Sequence, residues 1–161
     1  MPNEILNNNF KIKLSSLSES KYEQHNNEII IIDDDMWTHR IFSKYLSEWG
    51  FNPISANNAF EGLNLSLKHR PQLIFLDLIL PEMSGELLLK IFKNLDATSD
   101  IPIVIISGNF NKELLGGTYK SGACGFISKP FSQKIIYEAM KKCLKPNVYE
   151  NMKEKGFVMV E

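Results

Sequence analysis

The chain is poor in cysteine, has no long hydrophobic run, and carries almost no net charge. Cys124 and Cys143 are its only cysteines, and neither belongs to a CxxC pair or a Cys/His cluster. That spacing suits neither a zinc site nor a redox motif, so both are expected to be buried, reduced thiols. No apolar run approaches the roughly 20 residues needed to cross a bilayer. The start, Met1-Pro2-Asn3-Glu4, lacks the basic stretch and apolar segment of a secretory signal, and a cytoplasmic protein is expected. A formal net charge of -1 gives no electrostatic footprint for nucleic acid or an anionic membrane surface. What is present is ordinary for one globular domain: 161 residues, 43% apolar and 23% charged.

Residues 1–27 are rich in Asn and Ser and read as a flexible N-terminal extension. Within them Phe10, Ile12 and Leu14 alternate with lysines in a short strand-like pattern. From residue 28 to 145 the pattern alternates regularly. Glu28–Asp33 holds four consecutive isoleucines, β-branched and too short for a helix, and reads as a buried strand. Helical spacing follows over Met36–Trp49, where Trp37, Ile41, Tyr45 and Trp49 recur at i+4 beside Phe42 and Leu46. Strands are expected at Phe51–Ser55, Gln72–Asp77, Ile101–Ser107 and Cys124–Ser128. Helices are expected at Asn58–His69, from Ser84 to about Leu95, at Asn111–Ser121 and at Phe131–Leu144. Residues 146–161 read as a short C-terminal tail, with Pro146 ending the last helix and Phe157–Val160 as an apolar tip. Continuous apolar strands alternating with helices predict an α/β fold, a doubly wound parallel sheet covered on both faces.

In such a sheet the site lies beyond the carboxyl ends of the strands. Five polar groups fall there: Asp33 and Asp34 after the first strand, Asp77 after the third, Ser107 after the fourth and Lys129 after the fifth. Clustered carboxylates repel each other unless a cation sits among them, and oxygen-only ligation suits Mg2+. The run Asp33–Asp35 could equally be a strand-to-helix turn with a capping Asp, and Asp77 a buried capping residue. Ser107-Gly108 could simply end a strand, and Lys129 could be a surface lysine before Pro130. Taken together, the groups suit phosphoryl transfer to a carboxylate, which needs positioning and charge neutralisation. The amine of Lys129 would neutralise one side of the transferring group, the Ser107 hydroxyl would donate to it, and Gly108 would leave room for a bulky donor.

These motifs resemble the receiver domain of bacterial two-component response regulators, of the stand-alone chemotaxis-regulator-like type. The resemblance rests on Asp33-Asp34, on Asp77-Leu-Ile-Leu-Pro-Glu-Met-Ser-Gly85, on Ser107-Gly108 and on Lys129-Pro130-Phe131, in the family's order and spacing, over roughly residues 28–145. It implies a flavodoxin-like five-stranded sheet of order 2-1-3-4-5. It implies that Asp77 is the phosphoacceptor, and that Asp33, Asp34, Asp77 and the Ile79 backbone carbonyl hold Mg2+. Ser107 and Lys129 would bind the phosphoryl group, and Phe126 would turn inward when Ser107 shifts onto it. The implied partners are a sensor histidine kinase or histidine phosphotransfer protein and a downstream target protein, with no direct nucleic-acid or membrane contact. Such a chain acts as a monomer or as a phosphorylation-dependent dimer, and catalyses only its own phosphorylation and dephosphorylation.

Two alternatives compete: a receiver-like interaction module indifferent to phosphorylation, and an aspartyl-phosphate phosphatase of the haloacid dehalogenase type. The second usually places another Asp two residues after the nucleophile, and here that position is Ile79. Ser84 also departs from the family, standing where Asp is common. Ile79 and Asn109 would flank the approach of hydrolytic water, and apolar Ile79 offers that water no hydrogen bond, so slow dephosphorylation is expected. Gly116 and Gly117 lie inside the fourth helix, each costing about 1 kcal/mol relative to Ala. A labile, switching segment is expected there.

Overall fold

The computed structural model describes residues 27–154. The extension expected over residues 1–27, apart from Asn27, and the Phe157–Val160 tip lie outside the described residues. Five strands, β1 (Glu28–Ile32), β2 (Asn52–Ala56), β3 (Leu73–Asp77), β4 (Ile103–Ser107) and β5 (Gly125–Ser128), form one parallel sheet of order β2-β1-β3-β4-β5. Between them run helices α1 (Met36–Glu48), α2 (Ala59–His69), α3 (Gly85–Asn94) and α4 (Lys112–Lys120); α5 (Gln133–Cys143) and α6 (Pro146–Glu154) follow β5. The doubly wound fold and strand order are those expected.

Strand periodicity divides the core into two layers, because successive side chains point to opposite faces. Ile29 and Ile31 of β1 join Phe75, Val104 and Ile106 under α1 and α5, packing on Phe42, Leu46, Ile136 and Met140. Ile30 and Ile32 point the other way and join Ile74, Leu76, Ile103 and Ile105 against Leu88, Leu89 and Phe92 of α3. Both faces of β1, β3 and β4 are thus dry, which is why these strands read as unbroken apolar runs.

The α1 stripe differs from the expected i+4 row. Buried positions are Thr38, His39, Phe42 and Leu46, with Trp49 just after the helix, whereas Trp37 is 67% exposed and Ile41 38% exposed. A strict i+4 row drifts around an α-helix by about 40° per step, so its early members leave the core-facing side. The fourth strand begins at Ile103 rather than Ile101: Ile101 N–H is spent on a turn to Thr98 O, and Pro102 has no N–H to donate.

Two further expectations are corrected. Residues 146–154, read as part of a tail, form α6, with Pro146 at its first position, where a missing N–H costs nothing. Val148 is buried in the α1/α5 core layer, and the Tyr149 hydroxyl lies 3.2 Å from that of Tyr137. That hydrogen bond, aided by burial, raises the Tyr137 phenol to about 12. The cysteines are neither separate nor fully buried: Cys124, just before β5, and Cys143, the last residue of α5, are both half-buried and joined in a disulfide, with their Cα atoms 5.7 Å apart. They lie 19 positions apart in sequence, but the β5–α5 connection folds back on itself and brings them together.

Candidate functional site

Register places the site. In the parallel pairing Ile32 lies beside Leu76, Asp77 beside Ile106, and Ser107 beside Ser128, so β1, β3, β4 and β5 end at one edge. Asp33, Asp34 and Asp77 each present an oxygen to this edge, all within 4.8 Å of one another. Asp33 is fully buried, Asp77 is 4% exposed, and Asp34 faces solvent. The acidic triplet divides its work. Asp35 caps α1 by accepting from the Trp37 N–H at 3.0 Å, which with further local bonds holds its carboxyl below the usual range. Asp33 accepts from the Asp35 N–H at 2.8 Å and so faces the site edge.

Lys129 crosses the sheet edge to this cluster. Its Nζ donates to Asp33 Oδ2 at 2.8 Å and to Asp77 Oδ2 at 3.0 Å. Its backbone N–H donates to Ser107 O at 2.8 Å, which locks the β5 end to β4, and the Lys129-Pro130 peptide is cis. Burial works against the charged amine, but the hydrogen bonds and charges of Asp33 and Asp77 outweigh it and raise the Lys129 pKa. Burial raises the Asp77 carboxyl, opposed by the Ile79 N–H at 3.1 Å and by Lys129, and reinforced by the charge of Asp33. Three carboxylates thus converge on a single amine. With oxygen the sole donor type, the set fits a hard divalent cation such as Mg2+.

Ser107 is 1% exposed, and its Oγ accepts from the Asn109 N–H at 3.1 Å. A side chain at Gly108 would meet nothing within 4 Å, so the loop is open there. Beside Ser107 lies a cleft of about 370 Å3 lined by Leu78, Ile79, Glu86, Asn109, Phe110, Asn111 and Leu114. The Ile79 side chain is 61% exposed at its edge. Phe126 is half-buried on β5, one turn of the pleat from the site, with its ring edge-on to Phe110 at 5.9 Å.

The structure therefore brings Asp33, Asp34, Asp77, Ser107, Lys129 and the Ile79 backbone to one edge, and sets Phe126 at its flank. Two roles escaped sequence reasoning: that of His39, and that of Gly85, which was read only as the end of a motif. His39, buried on α1, has its Nε2 2.6 Å from the Asp33 carbonyl oxygen and steadies the β1 end; its spacing to Phe42 and Leu46 was the available signal. Gly85 opens α3 with its backbone pressed on the end of β3, where a Cβ would collide with Asp77 O and Leu78 Cα.

Known proteins are similar to this chain in sequence and fold. The response regulator receiver domain family matches residues 29–141. The probable transcriptional regulator ycf29 of Pyropia yezoensis is 35% identical over 123 residues, 75% of this chain but 54% of that protein, so the chain spans about half of that relative's length. The polar-differentiation response regulator DivK of Brucella anthropi is 30% identical over 116 residues, 72% of this chain and 94% of that protein. The structure of the Vibrio cholerae chemotaxis protein CheY4 superposes with a TM-score of 0.69 at 22% identity, covering 73% of this chain and 98% of that one. With fold, strand order, family match and relatives in agreement, the chain belongs to the response regulator receiver domain family of two-component signalling.

Proposed function

We propose that Asp77 accepts a phosphoryl group from a phosphohistidine on a sensor histidine kinase or a histidine phosphotransfer protein. The observation that carries this reading is the Lys129 amine, shared by Asp33 and Asp77 at the sheet edge where Ser107 and Asp34 also end. In the transfer an Asp77 oxygen forms a bond to phosphorus as the donor's P–N bond breaks. The leaving imidazole nitrogen keeps the electron pair and takes up a proton. Ser107 Oγ accepts from Asn109, which leaves its own proton available for a phosphoryl oxygen. Lys129, already against Asp77, pairs with the charge that builds there. Asp33, Asp34, Asp77 and the Ile79 carbonyl would hold Mg2+, which when bound neutralises charge on the transferring group.

The chain in this reading is not an enzyme toward other substrates; it catalyses its own phosphorylation and dephosphorylation. Phe126 couples the site to the face formed by α4, β5 and α5, on which a downstream target protein docks. The chain works in the cytoplasm, as a monomer or a phosphorylation-dependent dimer, without binding nucleic acid or membrane itself. Among the described residues no helix is long and apolar enough to cross a membrane. Incubation with acetyl phosphate and Mg2+ is expected to add the mass of one phosphoryl group to the wild-type chain and nothing to Asp77→Asn. No adduct on the wild type supports the phosphorylation-independent module, and rapid turnover without an adduct supports a phosphatase.

A further inference from the structure

We propose that Cys124 and Cys143 form a reversible thiol–disulfide pair that gives this chain a second, redox input. The bridge itself is independent of the carboxylate chemistry; its effect on signalling rests on the docking face assigned above. The pair is built into the fold. Its Cα separation of 5.7 Å lies inside the roughly 4.4–6.8 Å span of disulfides. Gly125 makes room for it, since a Cβ there would press to 3.2 Å from Cys143 Sγ. The reduced state is accommodated as well: Cys124 Sγ lies 3.2 Å from the Ile103 carbonyl oxygen, an acceptor for its thiol. Both residues are half-buried, within reach of a small disulfide such as oxidised glutathione.

In the exchange, one cysteine thiolate attacks a glutathione sulfur and releases one reduced glutathione. The second cysteine then attacks the mixed disulfide, closes the intramolecular bond and releases the other. The chain loses two electrons and two protons, and both glutathiones leave as thiols. The bridge acts on a groove of about 380 Å3 whose lining includes Gly125, Phe126, Ile135, Ala139 and Lys142. Gly125 adjoins one bridged cysteine and Lys142 the other, so the bond ties the β5 wall of the groove to the α5 wall. Phe126, which links the groove to the phosphoacceptor edge, follows Gly125 directly.

The test equilibrates the full chain with reduced or oxidised glutathione, blocks free thiols with N-ethylmaleimide and counts the blocks by intact mass. The proposal expects both thiols blocked in the reduced sample, neither in the oxidised sample, and recovery when reduced glutathione is restored. Amide exchange by NMR at Gly125, Phe126, Ala139 and Lys142 is expected to slow about tenfold on oxidation. The Cys124→Ser/Cys143→Ser variant should keep the faster rate in both buffers. Thiols that stay open in oxidised glutathione, a bridge that reduced glutathione does not break, or equal exchange in the two states each overturn the proposal. Acetyl phosphate labelling of the same samples separates the readings: an adduct missing from both states removes the phosphoacceptor, while the thiol count still decides the bridge.

Discussion

Helices α3 and α4 face each other across the same cleft, yet they are held in opposite ways. α3 buries Gly85, Leu88, Leu89 and Phe92, and its first residue lies against the backbone of Asp77. Thr98 seals its far end by donating to Phe92 O at 2.8 Å. α4 buries only Thr118, and Gly116 and Gly117 face open space, where a methyl group would touch nothing. The α3 side of the cleft is therefore fixed and the α4 side is loose. A phosphorylation switch needs this asymmetry: the reacting groups must hold their geometry, while the element that signals must have alternative positions within a few kcal/mol.

The largest break in this asymmetry is expected from Gly85→Ala. The added methyl meets backbone atoms, which cannot move as a side-chain tip would, and a loss of about 3 kcal/mol is expected in urea unfolding. On the opposite helix the same type of change has the opposite sign. Gly116→Ala and Gly117→Ala should each stabilise α4 by about 1 kcal/mol, seen as slower hydrogen exchange there. If α4 mobility carries the signal, both variants also show a smaller phosphorylation-induced change.

The helix caps sharpen the same contrast. Ser84 Oγ accepts from the Leu87 N–H at 3.2 Å, and Asn111 Oδ1 accepts from the Leu114 N–H at 2.7 Å. Each cap contributes about 1 kcal/mol to its helix. Ser84→Ala should lower global stability by that amount, whereas Asn111→Ala should release α4 locally with little change in the unfolding midpoint. At the cleft edge, Ile79→Gln offers hydrolytic water a hydrogen bond of about 1 kcal/mol, so the aspartyl phosphate should decay about fivefold faster. The smallest effect lies at the distant end of the sheet. The Tyr137 phenol is raised to about 12, so the contribution of its neutral form is complete below its ordinary pKa and lost as pH climbs through about 12. Tyr149→Phe should move the tyrosinate absorbance transition of Tyr137 to lower pH.

Much of this was legible in the chain itself, for identifiable reasons. Four isoleucines in β1 and the runs ending at Asp77 and Ser107 announce strands buried on both faces, and those ends carry the site. Local pattern failed where packing is nonlocal. α6 is mostly polar and becomes a docked helix because Val148 and Tyr149 find a surface made by distant residues such as Tyr137. The cysteine pair is set by how β5 and α5 fold back, which no spacing rule reports. The division of Asp33–Asp35 into site and cap was readable only as alternatives, because both roles use the same residue type.

The decisive measurement is hydrogen exchange on the full chain, with and without acetyl phosphate and Mg2+. Protection in β3 and α3 is expected to be high and unchanged, while the low protection in α4 shifts, together with β5 around Phe126, once Asp77 is modified. Exchange in α4 as slow as in the central strands, or a phosphate-dependent change confined to α3, would rule out a rigid α3 facing a switching α4.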